Sequence, residues 1–317
     1  MKTLSIILIF SFSILNFAFS QQTQTLTKEE VIGLYKSLYL TSDVDSIVWN
    51  GNVKNCECGT LSDEIYLKVV NRINFFRLVN GLNPIKMNSN FNQEAQDAAL
   101  LIKANEMLTH YPTEDMKCYS QSAYNGSSKS CLGFTDYENF PETSFLTEFL
   151  WDYGDANYYV GHRKWILYSK LKEIGYGATN RSEVLLVVDG VSYDSINLPE
   201  YTSYPWKGYV PVDLIFPKWS FSIPQDKVVD FSNCSITMTD EKGTIIELEK
   251  LEEYKNYLDH TIVWQVTGLF SDYDIEYGLN KMAENGYLGK KITVKIKKVF
   301  VDGKEKNFEY SVEPIKI

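Results

Sequence analysis

Histidine is scarce in this chain, with three in 317 residues. No H-E-x-x-H string occurs, so the zinc metalloprotease signature is missing. No G-x-S-x-G string occurs either, so the strand-turn-helix nucleophile elbow has no support. Positive charge is also in short supply. Lysine and arginine total 31 against 41 aspartates and glutamates, a net charge of -10. An acidic chain argues against nucleic-acid binding, which needs basic stripes to displace counterions from phosphates. It argues equally against docking on anionic lipid. There is no tandem repeat and no low-complexity tract. Beyond the first twenty or so residues, no apolar run is long enough to span a bilayer. Cysteine is limited to five residues, and Cys56-Glu57-Cys58 has no second pair at zinc-ribbon spacing.

Apolar material is plentiful. The chain is 44% hydrophobic and 14% aromatic, enough to bury a sizeable core in one large domain or two ordinary ones. It opens "MKTLSIILIFSFSILNFAFSQQ": one lysine, an apolar run, then small residues at Ala18 and Ser20. This pattern predicts a secretory signal peptide cleaved after Ser20 and a soluble, exported product. All five cysteines lie beyond it, where an oxidising compartment favours pairing. Cys118 and Cys131 are close in sequence and are the expected bridge. One cysteine is then left over or pairs between chains. Asn125, Asn180 and Asn233 head N-x-S/T sequons, which places them on the surface if the host glycosylates.

Periodicity divides the chain. Thr27 with Glu30 predicts a capping box ahead of a short amphipathic helix. "SDEIYLKVVNRINFFRLVNGL" predicts a helix capped by Ser62 and ended by Gly81, with Ile65, Val69, Ile73, Phe76 and Val79 on one face. A second helix is expected from a cap at Asn90 to His110. Its Ala95, Ala98 and Ala99 invite close approach by another element. Residues 111–141 read as a long, Pro-, Gly- and Ser-bearing loop. "ETSFLTEFLWDYG" and "NYYVGHRKWILY" read as two further helices, and "KEIGYGATN" and "SEVLLVVDG" as strands. After about Gly190 helical periodicity vanishes. Strand patterns follow, ending in a hairpin signalled by Asp302-Gly303. The expected class is α+β, with an all-β unit at the end.

Three pieces in order resemble the CAP domain, also called SCP, of cysteine-rich secretory proteins, insect venom antigen 5 and plant pathogenesis-related class 1 proteins. They are "NFFRLVNGLNPIKMNSNFNQEAQDAA", "LTH" and "VGHRKWILYSKLKEIGYG". A CAP subgroup with a C-terminal β domain is closer still, through "CGTLSDEIYLKVVNRINFFR", "LTHYPTEDMKCYS", "DYGDANYYVGHRKWIL" and "YPWKGYVP…KWSFSI". The resemblance implies an α-β-α sandwich over 59–190, after the signal peptide (1–20) and a helical and loop extension (21–58). A β-sandwich-like domain over 191–317 would follow.

Many CAP domains gather two histidines and two acidic residues in a cleft. Carried over position by position, the first histidine falls on Ile73 and one glutamate near Ser130, neither able to ligate as the family residue would. The second acidic position falls on Asp152, and the Gly-His histidine on His162. His110 matches the family's Ser-His step, and Glu148 is a possible addition. A tight zinc site wants three or four protein ligands. Asp152, His162 and His110 therefore suffice only for a weakly bound divalent metal, and no cofactor is required. The plainer roles are a satisfied, pocket-shaping imidazole for His162 beside Asp152, and a helix C-cap for His110. Ser130, His162 and Asp152 together could on paper make a nucleophile, base and orienter. Aromatic residues, among them Tyr158 and Trp165 beside His110, Asp152 and His162, outline a ligand cleft. The tryptophan of "YPWKGYVP" either docks on the first domain or faces a ligand. The resulting expectation is a secreted protein that binds a small apolar ligand, lipid or sterol, or an unknown cell-surface component, without robust catalysis. The competing reading is a weak hydrolase or peptidase using His162 and Asp152.

Overall fold

The computed structural model describes residues 25–136, 142–193, 198–255, 257–270, 282 and 284–317, leaving aside the side chains of 142–145. The expected signal peptide lies outside the described residues. The capping box forms as the sequence requires: Thr27 Oγ1 accepts from the Glu30 N–H, and the Glu30 carboxylate accepts from the Thr27 N–H, opening α1 (Lys28–Leu34). Ser62 caps α2 (Asp63–Val79), accepting from the Ile65 N–H. After the two-residue β1 (Lys86–Met87) comes α3 (Ser89–Asn105). Asn88, not Asn90, is its cap, because the Asn88 side chain accepts the Asn90 N–H. Glu106 turns left-handed at φ 49 and ends the helix five residues short of His110, so that histidine is no helix cap.

The stretch expected to be a loop holds α4 (Gln121–Ser128) and β2 (Ser130–Phe134). Ser120 caps α4, and Gly126 makes its docking possible: a Cβ there would meet the Glu94 carbonyl oxygen of α3 at 2.1 Å. The helix has no apolar period of its own, so beyond its Ser120 cap it depends on this tertiary contact. Next come α5 (Glu142–Trp151), α6 (Gly161–Ile166), β3 (Glu173–Ala178) and β4 (Ser182–Leu186).

The first sheet has the order β1-β3-β4-β2, parallel at β1/β3 and antiparallel elsewhere. Strand alternation makes it the middle layer of three. Leu132, Val184 and Leu186 face Ala95, Ala98, Ala99 and Ile102 of α3. Cys131, Ile174, Tyr176 and Leu185 face the other way, into the cluster holding Ile73 and Phe76 of α2, Phe149 of α5 and Ile166 of α6. Gly177 is needed where α3 crosses β3, since a Cβ there would lie 2.2 Å from the Gln96 nitrogen. The architecture is thus an α-β-α sandwich.

The remaining strands are β5 (Thr202–Tyr204), β6 (Gly208–Pro211), β7 (Lys218–Ile223), β8 (Val229–Asp230), β9 (Ser235–Thr239), β10 (Ile245–Ile246), β11 (Leu248–Lys250), β12 (His260–Val266), β13 (Ile292–Val301) and β14 (Lys304–Ile315). They form two sheets, ordered β10-β9-β13-β14-β6 and β11-β12-β7-β5, with β8 paired to β13. Asp302 and Gly303 at φ 49 and 76 make the expected hairpin turn between β13 and β14. Trp219, Phe221 and Trp264 are buried between the sheets. No helix among the described residues is long and apolar enough to cross a membrane.

One apolar cluster runs without a break from Tyr35 through α2 and α5 to Val312 in β14. Trp206 docks: its ring lies 5.6 Å from Phe75 and 6.4 Å from Phe76, edge-on to both, and its Nε1 donates to the Tyr209 carbonyl. Truncating Phe76, fully buried where the two parts meet, should therefore cost about 3–5 kcal/mol. Urea denaturation of Phe76→Ala, followed by near-ultraviolet dichroism and by tryptophan fluorescence, is expected to show one shared transition at lower urea. Two separated transitions would contradict a continuous core.

The disulfide joins Cys56 to Cys118, 62 residues apart, and not Cys118 to Cys131. Cys131 is a β2 residue pointing into the core, so chain proximity did not bring its sulfur outward. Cys58, Cys131 and Cys234 are free, the first and last half-buried. Burial raises all three thiols, Cys131 most. Titration with an aromatic disulfide reagent should find Cys58 and Cys234 reactive in native protein and Cys131 only after denaturation. Mass mapping of the labelled peptides checks the assignment.

Candidate functional site

The candidate site is built where α5 hands over to α6. Three of the nine residues from Asp152 to Val160 adopt left-handed backbone: Asp152 at φ 54, Gly154 at φ 87 and Val160 at φ 49. The turn brings the Asp152 carboxylate back to the start of α6. One oxygen bonds His162 Nδ1 at 2.6 Å, and the other accepts the Arg163 N–H at 2.9 Å. Val160 precedes α6 and has no side chain able to cap, so Asp152 satisfies one of the helix's open N–H groups from eight residues upstream.

An ionised carboxylate only accepts, so Nδ1 carries the proton and Nε2 of a neutral His162 is left as an acceptor. Nε2 has no hydrogen-bond partner among the described residues. The imidazole side chain is 28% exposed, while Asp152 is sealed. Phe149 packs against the imidazole, stacked with centroids 5.0 Å apart.

Two buried cations hold the turn from below. Lys218 Nζ donates to the carbonyls of Asp152 (2.9 Å), Gly154 (2.5 Å) and Asn157 (3.3 Å). Arg163 donates to the carbonyls of Leu150, Trp151 and Lys218 and to Ser220 Oγ, with its guanidinium 4.3 Å from the Tyr204 ring centroid. Burial brings Lys218 down to about 8 and Arg163 to about 10. Both remain charged at neutral pH.

An aromatic group adjoins the pair. The Tyr159 ring lies over Gly161, where a Cβ would come within 2.6 Å of it. It stacks on Tyr254 at 4.7 Å and meets Tyr158 at 5.3 Å, edge-on. Tyr254 and Tyr257 come from the segment between β11 and β12, and Trp165 Nε1 donates to Tyr257 Oη at 2.6 Å. Burial raises Tyr159 and Tyr257, keeping both phenols protonated.

The sequence candidates divide accordingly. His162 and Asp152 are joined, and Tyr158 and Trp165 both belong to the neighbouring ring cluster. His110 is elsewhere, exposed, with Nδ1 2.9 Å from the Ser127 carbonyl. Ser130 is buried and its hydroxyl donates to the Gly126 carbonyl, so it does not complete a triad with His162. Among the described residues, no group of three or more His, Cys, Asp or Glu side chains could hold a metal ion. The proposed set of His162, Asp152 and His110 is therefore not gathered. Glu148 is half-buried on α5, its carboxyl raised by desolvation.

Of the sequons, Asn233 is exposed. Asn125 sits half-buried in α4, donating to Glu94, and Asn180 accepts from Lys103. A separate hollow of about 350 Å³, floored by Ile223, Val301 and Phe308, holds none of the candidates. Lys218, Arg163, Phe149 and Tyr254 were missed by sequence reasoning. A lone lysine inside "IFPKWSFSI" was the available signal for the first.

Residues 70–188 match the profile of the CAP, cysteine-rich secretory protein family. This stretch, with its α-β-α sandwich and Gly-His step, is a CAP domain of that family. No curated protein matches the chain. Among solved structures, an extracellular protein containing a SCP domain from Bacillus anthracis str. Ames is similar at 12% identity and a TM-score of 0.29, covering 40% of this chain and 44% of that one. The match thus spans less than half of the Bacillus protein. CopC from Methylosinus trichosporium OB3b is similar at 12% identity and a TM-score of 0.22, covering 35% of this chain and 89% of that one.

Lys164, beside His162 and Arg163, is buried, borders a small space of about 10 Å³ lined also by Ser220, Ser222 and Asp259, and lies 5.1 Å from the Tyr257 ring centroid. Such a space is near the size of one water. Desolvation lowers Lys164 from 10.5 to about 8, opposed by Asp259 and Glu253. Above about 8 the unfolded chain holds the proton that the folded one has lost, so this lysine makes stability rise from pH 8 towards 10.5. Urea titrations at pH 7.5, 8.5 and 9.5 should show a steeper rise for wild type than for Lys164→Met. Parallel curves would reject the assignment.

Proposed function

We propose that the protein is exported and acts by binding, through the surface formed by His162 and the tyrosines at 158, 159 and 254, a small ligand with an apolar body and one polar tip. A lipid or sterol hydroxyl has that chemistry. The observation that carries the reading is the His162 imidazole: it is locked by a sealed carboxylate on one nitrogen, and its other nitrogen has no hydrogen-bond partner among the described residues. That nitrogen accepts one hydrogen bond at a fixed point, and the tyrosine faces beside it suit apolar rings with polar edges. The disulfide and the N-terminal leader pattern support an extracellular setting. On this reading residues 59–190 and 191–317 act together, since Tyr254 belongs to the second part and Tyr159 to the first.

A weak hydrolase is the second reading, favoured by the same Nδ1 to Asp152 bond, which is how a general base is oriented. Water would have to be the nucleophile, because the Ser130 hydroxyl is bonded elsewhere.

Titration with cholesterol delivered from methyl-β-cyclodextrin, followed by intrinsic fluorescence and by the His162 ring signals in NMR, separates the two. Binding that weakens at least tenfold in His162→Ala and Tyr159→Ala, in folded protein, is expected. That loss is about 1.4 kcal/mol or more. Unchanged affinity in both variants, or no binding by wild type, defeats the binding reading. Hydrolysis of a peptide or ester panel that His162→Ala abolishes would install the hydrolase instead.

A further inference from the structure

We infer that Lys218, on β7 of the second part of the chain, is a positioning residue for the His162–Asp152 pair in the CAP domain. This inference rests on the reading that the pair is the binding group. The β part is then a component of the site and not an appended module.

An ammonium has three N–H donors, and Lys218 directs them at three carbonyls of one turn, those of Asp152, Gly154 and Asn157. These carbonyls follow the end of α5; those of Gly154 and Asn157 also accept the Asn157 and Val160 N–H groups, so the lysine adds to the bonds within the turn. The turn they belong to is unfavourable on its own. Asp152 and the β-branched Val160 both sit at positive φ, a conformation that persists only where surroundings over-determine it. Asp152 cannot leave that conformation without withdrawing its carboxylate from His162 and from the Arg163 N–H.

The lysine is itself held firmly. β7 is an inner strand, paired with β12 on one side and β5 on the other. Trp219, the next residue, is fully buried between the sheets. Arg163 closes the clasp from the opposite direction, donating to the Lys218 carbonyl and to Ser220 Oγ. Each part of the chain thus sends one buried cation onto the other's backbone. Stacking of Trp151 on Phe216 at 5.4 Å keeps the α5 terminus against the approach to β7.

The test follows the Nδ1–H proton of His162, whose downfield NMR signal reports the bond to Asp152. In Lys218→Met the signal should broaden or vanish while the methyl spectrum stays dispersed. Lys218→Arg, which keeps several donors, should recover part of it. Gly154→Ala is the second variant. Gly154 lies at φ 87, and a Cβ there would have nothing within 4 Å, so the alanine strains the turn without touching the core. It should weaken the same signal. Ile262→Val, a buried change in β12 remote from the turn, serves as the stability control and should leave the signal intact. Persistence of the Nδ1–H signal in folded Lys218→Met, or in Gly154→Ala should the lysine variant not fold, overturns the inference. Because this readout needs no ligand, it stands or falls separately from cholesterol binding. If wild type binds, Lys218→Met should also lose at least tenfold in affinity.

Discussion

The structure turns on one sealed carboxylate. A buried charge costs several kcal/mol unless hydrogen bonds and opposite charge meet it, and removing one partner of a buried pair is correspondingly damaging. Asp152 meets that requirement with the imidazole of His162 and the backbone N–H of Arg163, inside a region that also holds the guanidinium of Arg163 and the ammonium of Lys218. The same carboxylate supplies the cap that α6 lacks and fixes which imidazole nitrogen faces outward. Helix geometry and imidazole orientation therefore cannot be varied independently: an Asp152 side chain that failed to cap would also fail to orient.

Further buried polar contacts repeat this logic along the seam. Arg77, fully buried and brought down to about 9 by desolvation, donates to the carbonyls of Asn83, Ile166, Tyr168 and Leu171. It pins the chain leaving α6 onto α2. Asp259, raised by burial, accepts from the N–H and hydroxyl of Ser169 and from the Gln225 N–H. The bonds to Ser169 join residues 90 apart. Apolar packing alone would tolerate sliding between the two parts. Directional bonds from buried charged groups do not, because each displaced one leaves an unsatisfied group behind.

What could be read from the sequence follows the range of the interaction concerned. Caps at Thr27 and Ser62 and the Asp302-Gly303 turn are local, and they formed as expected. The His162–Asp152 pairing was legible through the family resemblance, which placed the acidic position on Asp152 and the Gly-His histidine on His162. The Asn74 and Arg77 of that resemblance are buried pins of backbone, Asn74 exchanging two hydrogen bonds with Ile85. The bridge was misread because separation along the chain is a poor guide to separation in space. α4 and β2 intervene after Cys118 and turn Cys131 inward, while the segment holding Cys56 returns to Cys118. α4 itself was invisible for a related reason: its stability lies in Gly126 meeting α3, a contact with no local signature. Ser130 failed as a nucleophile because its hydroxyl is taken by the Gly126 carbonyl, a partner that no side-chain pattern announces.

The second part of the chain gains a physical reason from these contacts. A CAP sandwich can place a histidine and an aspartate near each other, but here the turn between them runs through backbone conformations that its own residues disfavour. Part of what holds it comes from outside the sandwich, through an inner strand whose neighbours are large buried aromatics. Tyr254 and Tyr257 arrive from the same sheet, on the segment leading into β12, and lie against Tyr159 beside the imidazole. One sheet therefore supplies both the support beneath the pair and part of the wall next to it. A substitution that loosened β7 against β12 would reach His162 by two routes at once, the lysine clasp and the tyrosine stack. That coupling distinguishes a composite site from two domains that happen to be joined.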